Sequence, residues 1–147
     1  MCVKNGKLSP VTENTVLAAL TEAIKVLGND CQIVDYTTRM EFAQQPWRYV
    51  IYSEVSQTFE TLPDLTQCQV RMEQIIYEMN KTYLELRQAN SIGSLEFKLV
   101  ENGAFERLKN KIISQGGSET QFKMPRLVKK STFTDFLEMR VIGSSEG

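Results

Sequence analysis

At 147 residues the chain suits a single domain with a core of its own, and its 41% apolar and 24% charged content is that of an ordinary globular fold. A formal net charge of −1 supplies no broad field for drawing in nucleic acid or a membrane surface. The sequence contains no histidine, which excludes serine–histidine and cysteine–histidine catalysis within it. The three scattered cysteines, Cys2, Cys31 and Cys68, suggest neither a disulfide framework nor a zinc site, so a reducing, cytoplasmic setting is expected.

Residues 1–11 hold no apolar stretch of signal-peptide or membrane-span length and read as a linker or hinge remnant, with a turn at Ser9-Pro10; a strand within 3–8 is an alternative. From Thr12, a residue able to cap a helix, Val16, Leu17, Leu20, Ala23, Ile24 and Leu27 recur at helical spacing until Gly28 offers a left-handed exit. Residues 31–38 and 48–55 carry β-branched and aromatic side chains in strand-length runs, with a polar loop expected over 39–46. One long helix is expected from Pro63 to Gln88, its stripe running through Leu65, Cys68, Met72, Ile75, Ile76, Met79, Tyr83 and Leu86 over roughly 39 Å. Asn90 to Ser94 breaks it.

Leu95, Phe97 and Leu99 then alternate with Glu96 and Lys98, which predicts a half-buried strand with the two charged residues on its wet face. A shorter helix follows Gly103, with Phe105, Leu108, Ile112 and Ile113 inward, and ends at Gly116-Gly117. In Gln121-Phe122-Lys123-Met124-Pro125-Arg126 the proline disfavours helix and cannot donate to a ladder, so an extended arm is expected at an edge or over a surface. Thr132 and Asp135 have capping-box spacing before a last helix with Phe133, Phe136 and Leu137, and residues 142–147 read as a loose tail. This order predicts an α+β domain over 12–141, a small mixed sheet with helices packed mainly on one face.

Several residues could carry chemistry. Lys123 has a flexible stem and three donors, and Gly116-Gly117 with Ser118 would let its arm swing; the pattern alone favours a solvated lysine on an edge. Arg126, Lys129 and Lys130 extend a run without acids that suits either phosphate binding or an edge guarded against strand pairing. Glu96, Lys98 and Glu101 stand near a strand end beside Asn102-Gly103, where an amino acid could be received, although alternating charges on a wet strand face are common. Phe42, Trp47, Tyr49 and Tyr52 could line a pocket; packing is the plainer reading of both tyrosines.

The ordered matches Tyr49-Val50-Ile51-Tyr52, Glu78-Met79-Asn80 with Tyr83 and Arg87, Ser91-Ile92-Gly93 with Leu95-Glu96, Gly103 with Phe105-Glu106, and Gln121 to Arg126 span much of the chain. Together they resemble the carboxy-terminal domain of the Gretchen Hagen family of auxin-responsive plant acyl acid amido synthetases. The resemblance implies a ligase that adenylates a small carboxylic acid, such as auxin, jasmonate or a benzoate, and then conjugates it to an amino acid. It also implies a cap domain pivoting over a large amino-terminal partner domain, which would bind most of the ATP, the magnesium and the acyl acid. By resemblance, Lys123 matches the lysine that contacts the nucleotide, where a positioned ammonium opposes charge developing on phosphate oxygens. Glu96, Phe97, Lys98, Leu99 and Val100 match the region near the amino acid acceptor.

Lys98, Ala104 and Leu127 depart from residues frequent in the family. This chain is expected to be inactive without the large domain, and a non-catalytic interaction or regulatory remnant is the alternative within the same family. A nucleic-acid module stacking bases on Tyr49, Tyr52 and Phe97, with Lys123 to Lys130 along a backbone, is disfavoured by the acidic balance, and no membrane partner is expected.

Overall fold

A computed structural model of the chain describes residues 2–4, 7–9, 11–43, 45–114, 127–129 and 132–145. Two short strands, β1 (Cys2–Lys4) and β2 (Lys7–Ser9), pair antiparallel within the stretch read as a linker. The first helix, α1 (Glu13–Ala23), starts as its sequence suggests, with Thr12 Oγ1 accepting from the Thr15 amide at 3.2 Å. Its end is different. The chain tightens into a 3-10 turn over Ile24–Val26, and Gly28 is not left-handed; a side chain there would collide with Gln57.

The sheet is mixed and five-stranded, in the order β6-β3-β4-β5-β7. Strands β3 (Ile33–Glu41) and β4 (Arg48–Val55) form an antiparallel hairpin, β5 (Glu96–Val100) runs parallel to β4, and β6 (Leu127–Lys129) runs parallel to β3. β3 is longer than expected: Arg39, Met40 and Glu41 belong to the strand rather than to a loop, because pairing with β4 continues to Glu41 opposite Arg48. The expectation of a loose tail over 142–147 fails for residues 142–145, and residues 146 and 147 lie outside the described residues. β7 (Val141–Ser144) pairs antiparallel with β5, and Ser145 exchanges hydrogen bonds with Phe97, its amide donating to the Phe97 carbonyl at 2.8 Å and its hydroxyl accepting from the Phe97 amide at 2.9 Å. Small residues at 143–145 are poor evidence for a strand, but the open edge of β5 satisfies their backbone groups.

The expected long helix is two helices, α2 (Thr66–Met79) and α3 (Lys81–Gln88). Asn80 adopts an extended conformation, φ −143° and ψ 95°, and its side-chain oxygen accepts from the Tyr83 amide at 3.0 Å, so one residue ends the first helix and caps the next. The apolar stripe runs through the break, which is why the spacing alone does not reveal it. The bend returns Tyr83 and Arg87 towards Glu73 of α2. Glu73 accepts from the Tyr83 hydroxyl at 2.6 Å, from Arg87 Nε at 3.2 Å and from Gln69 at 2.9 Å. Burial, reinforced by the charge of Glu73, pushes the Tyr83 phenol well above its ordinary range. After α3, Asn90 takes the left-handed conformation at φ 57° that turns the chain.

Alternation divides the sheet's side chains between two faces. Tyr49, Ile51, Phe97 and Leu99 lie in the larger core with Leu20 and Ile24, Met72 and Ile76 of α2, and Tyr83 of α3, so α1 to α3 cover one face as expected. Val50, Tyr52 and Val100 face the other way. They pack with Ala104, Phe105 and Leu108 of α4 (Ala104–Ser114) and Leu137 of α5 (Thr132–Glu138), forming a smaller second cluster. The start of α4 is set by a residue of the middle strand: the carboxylate of Glu54 accepts from the amides of Gly103 at 2.8 Å and Phe105 at 3.1 Å, while Asn102 donates to the Val55 carbonyl at 3.0 Å. Gly103 permits this approach with φ at 89°.

Candidate functional site on the second face of the sheet

The register brings Tyr52 opposite Thr37 on one side and Lys98 on the other, and Val50 opposite Arg39 and Glu96. Because side chains directly opposite share a face, Arg39, Tyr52, Glu96 and Lys98 emerge together beside the α4 and α5 cluster. The last residue of α5 completes the group. Glu138 accepts from Lys98 Nζ at 2.7 and 2.8 Å through its two oxygens, and from the Tyr52 hydroxyl at 2.7 Å. Glu96 accepts from Arg48 at 3.0 Å and from the Ser144 hydroxyl at 2.5 Å, and its second oxygen lies 3.9 Å from Lys98 Nζ. Arg39 pairs with Glu41 at 3.0 Å, and its guanidinium lies 5.7 Å from the centre of the Tyr52 ring; the Lys98 ammonium lies 5.8 Å from that centre.

This row is far drier than the predicted wet strand face. The side chains of Lys98 and Glu96 are only 14% and 8% exposed, since α5 and β7 cover that side of β5. Burial, with the hydrogen bond to Glu138, pushes the Tyr52 phenol well above its ordinary range, so it is a standing donor. Burial would raise the Glu138 carboxyl as well, but hydrogen bonds from Lys98 and Tyr52 outweigh it and hold that group below the usual carboxylate range. The arrangement is thus a chain of paired charges in which one ammonium serves two carboxylates.

Only two of the five strand residues singled out in the sequence reach this row. Glu96 and Lys98 do; Phe97 and Leu99 point into the opposite core, and Val100 joins the apolar cluster of α4. Tyr49 and Phe97 are buried on one face and Tyr52 on the other, so their rings form no common stacking platform. Trp47 packs against Phe42 and Tyr49 at centroid distances of 5.3 and 5.1 Å, at the end of the β3–β4 hairpin. Glu101 pairs with Arg107 near the surface. Lys123, Arg126 and Lys130 lie outside the described residues, and Lys129 enters β6, with its backbone opposite Met40.

Sequence reasoning missed Arg39, Arg48, Glu138 and Ser144. The two arginines leave a faint signal as charges within or beside strand-like runs. Glu138 leaves none, because its partners are remote in the chain. Among the described residues no three histidine, cysteine, aspartate or glutamate side chains group as a metal site, so no part of the row is assigned to magnesium. Among the same residues no helix is long and apolar enough to cross a membrane.

A mixed sheet flanked by helices, with its buried charges on one face, defines an α+β domain. Residues 14–132 match the family model described as the GH3 family C-terminal domain, and the chain belongs to that family, the one its motifs resemble. It is 34% identical to indole-3-acetic acid-amido synthetase GH3.3 of Arabidopsis thaliana, over 96% of this chain and 25% of that protein. It is 32% identical to jasmonoyl–L-amino acid synthetase JAR6 of Nicotiana attenuata, over 89% of this chain and 23% of that one. The solved structure of AtGH3.15 acyl acid amido synthetase in complex with 2,4-DB superposes with a TM-score of 0.78 at 30% identity, covering 94% of this chain and 25% of its own. The chain therefore spans about a quarter of the length of these relatives.

Proposed function

We propose that this chain is the C-terminal part of an ATP-dependent, cytoplasmic ligase that joins a small carboxylic acid, an auxin, jasmonate or benzoate, to an amino acid. The match of residues 14–132 to the GH3 C-terminal domain carries this reading. In the proposed reaction the acid's carboxylate attacks the α-phosphate of ATP and releases pyrophosphate. The amine of the amino acid then attacks the acyl adenylate, leaving an amide and AMP. A large amino-terminal domain holds the acyl acid, the magnesium and most of the ATP, and residues 1–11 lie near the hinge. Lys123 delivers its ammonium to the nucleotide, where fixed positive charge is worth most as negative charge spreads over phosphate oxygens. Strand β5 lies near the acceptor through Glu96 and Lys98.

The test is reconstitution. The chain by itself yields no pyrophosphate exchange, whereas addition of a family amino-terminal domain restores amide synthesis, followed by mass spectrometry of the conjugate. Lys123→Ala then lowers kcat about 100-fold, as loss of one transition-state donor does, with the melting temperature unchanged. Unaltered turnover in that variant rejects the role of the lysine, and failure to reconstitute rejects the catalytic reading as a whole.

A further inference from the structure

We propose that Asn102 is a site of one-way covalent modification, cyclising with Gly103 to a succinimide that opens to aspartate or isoaspartate, and that the buried Glu54 carboxylate holds the reaction in check. Asparagine followed by glycine is the pair most open to this chemistry, because glycine has no Cβ to shield its amide nitrogen. Asn102-Gly103 is such a pair, and Asn102 is exposed to the water that the reaction consumes. Both groups that would react are engaged elsewhere. The Gly103 amide donates to Glu54 Oε2 at 2.8 Å, and Asn102 Nδ2 donates to the Val55 carbonyl at 3.0 Å.

Ring closure has to break these contacts. The Gly103 nitrogen loses its proton to solvent and bonds to Asn102 Cγ; the Cγ–Nδ2 bond breaks, and the departing nitrogen takes a proton from solvent and leaves as ammonia. One water then opens either carbonyl of the ring. Glu54 opposes the first step in two ways: it holds the N–H that must be given up, and its negative charge disfavours the anion that forms at the nitrogen and then at Cγ. A carboxylate is far too weak a base to take an amide proton itself. Glu54 is only 5% exposed and is also fixed by the Phe105 amide at 3.1 Å, so its charge stays close and poorly screened.

Conversion would undo the contact that restrains it. Aspartate at 102 loses the donor to Val55 and sets a second carboxylate beside Glu54, while isoaspartate adds a methylene to the main chain between residues 102 and 103 and shifts the Gly103 and Phe105 amides away from their acceptor. Either product loosens the join between β4 and α4. Local opening sets the pace: the native rate is that of the unrestrained pair multiplied by the fraction of time the contact is open. None of this requires ATP, an acid substrate or a second domain, so it stands or falls apart from the proposed ligase reaction.

Incubation of the whole chain at neutral pH, followed by digestion and mass spectrometry with electron-transfer fragmentation, tests the proposal by counting aspartate and isoaspartate at 102. Peptide mapping separates this position from the other Asn-Gly pair, Asn5-Gly6, which lies outside the described residues. Conversion at Asn102 is expected to run at least ~10-fold slower than in a synthetic peptide spanning residues 98–107, the suppression set by a local opening free energy of about 1.4 kcal/mol. Glu54→Gln, which leaves one carbonyl oxygen for two amides, speeds conversion at least ~5-fold, within what loss of one charge-assisted hydrogen bond supplies. Circular dichroism checks folding; should Glu54→Gln unfold, Glu54→Asp, which keeps the charge but draws it back, takes its place with the same expectation. Chain converted at 102 melts at least ~2 °C below fresh chain. A peptide-like rate in the unaltered chain, a rate that stays level or falls when Glu54 is replaced, or an unchanged melting temperature after conversion overturns the proposal.

Discussion

The two faces of the sheet use the same strands for different ends. On the α1–α3 face, Tyr49, Ile51, Phe97 and Leu99 are sealed against helices, and each contributes through the apolar area it removes from water. On the α4–α5 face, Tyr52, Glu96 and Lys98 leave those strands at alternating positions and meet charged partners from β3, β4 and α5 and a serine hydroxyl from β7. The comparison shows how a small domain separates apolar packing from charge pairing without separate elements: residue parity along a strand decides which role a side chain takes.

Substitutions on each face should therefore differ in kind. The largest loss is expected from Phe97→Ala, which empties a fully buried ring position; about 3–5 kcal/mol should disappear in urea unfolding, a large fraction of a typical domain's stability. A loss below about 1 kcal/mol would mean that the dry face does not carry the fold. Tyr83→Phe comes next. It removes a 2.6 Å hydrogen bond to the buried Glu73 and should cost about 1–3 kcal/mol, since that carboxylate then keeps fewer donors.

Glu138→Gln should have the smallest effect, about 1 kcal/mol or less, because partial exposure weakens an ion pair. Its signature is pH dependence. A carboxyl held below its usual range when folded stabilises above its unfolded pKa, and that contribution fades as pH falls through the folded value. The stability gap between unaltered chain and variant should thus be full at neutral pH and close on acidification below the ordinary glutamate value of about 4.3. A gap that persists unchanged at low pH would show that the contact is not ionic.

Much of the dry face was legible in the sequence, because alternation in Leu95 to Leu99 and helical spacing in Val16 to Leu27 follow directly from burial on one side. The break at Asn80 was not, since a single side-chain oxygen competes there with an uninterrupted apolar stripe. Nor was the strand character of Arg39 to Glu41, where pairing with β4 overrides a loop-like composition. The charged row was half visible. Glu96 and Lys98 stood out by alternation, but Glu138 meets Tyr52 across 86 positions and Lys98 across 40, and no local pattern records such a meeting.

The Glu54 carboxylate that receives the first amides of α4 has a dynamic consequence. Helix starts are usually referenced to a neighbour in the chain; this one is referenced to the central strand, so α4 carries its own gauge of the sheet's integrity. Deuterium uptake at the Gly103 and Phe105 amides should keep pace with opening of β4 rather than with fraying of the helix. Those two amides would then report, from the start of a helix, on breathing of the central strand.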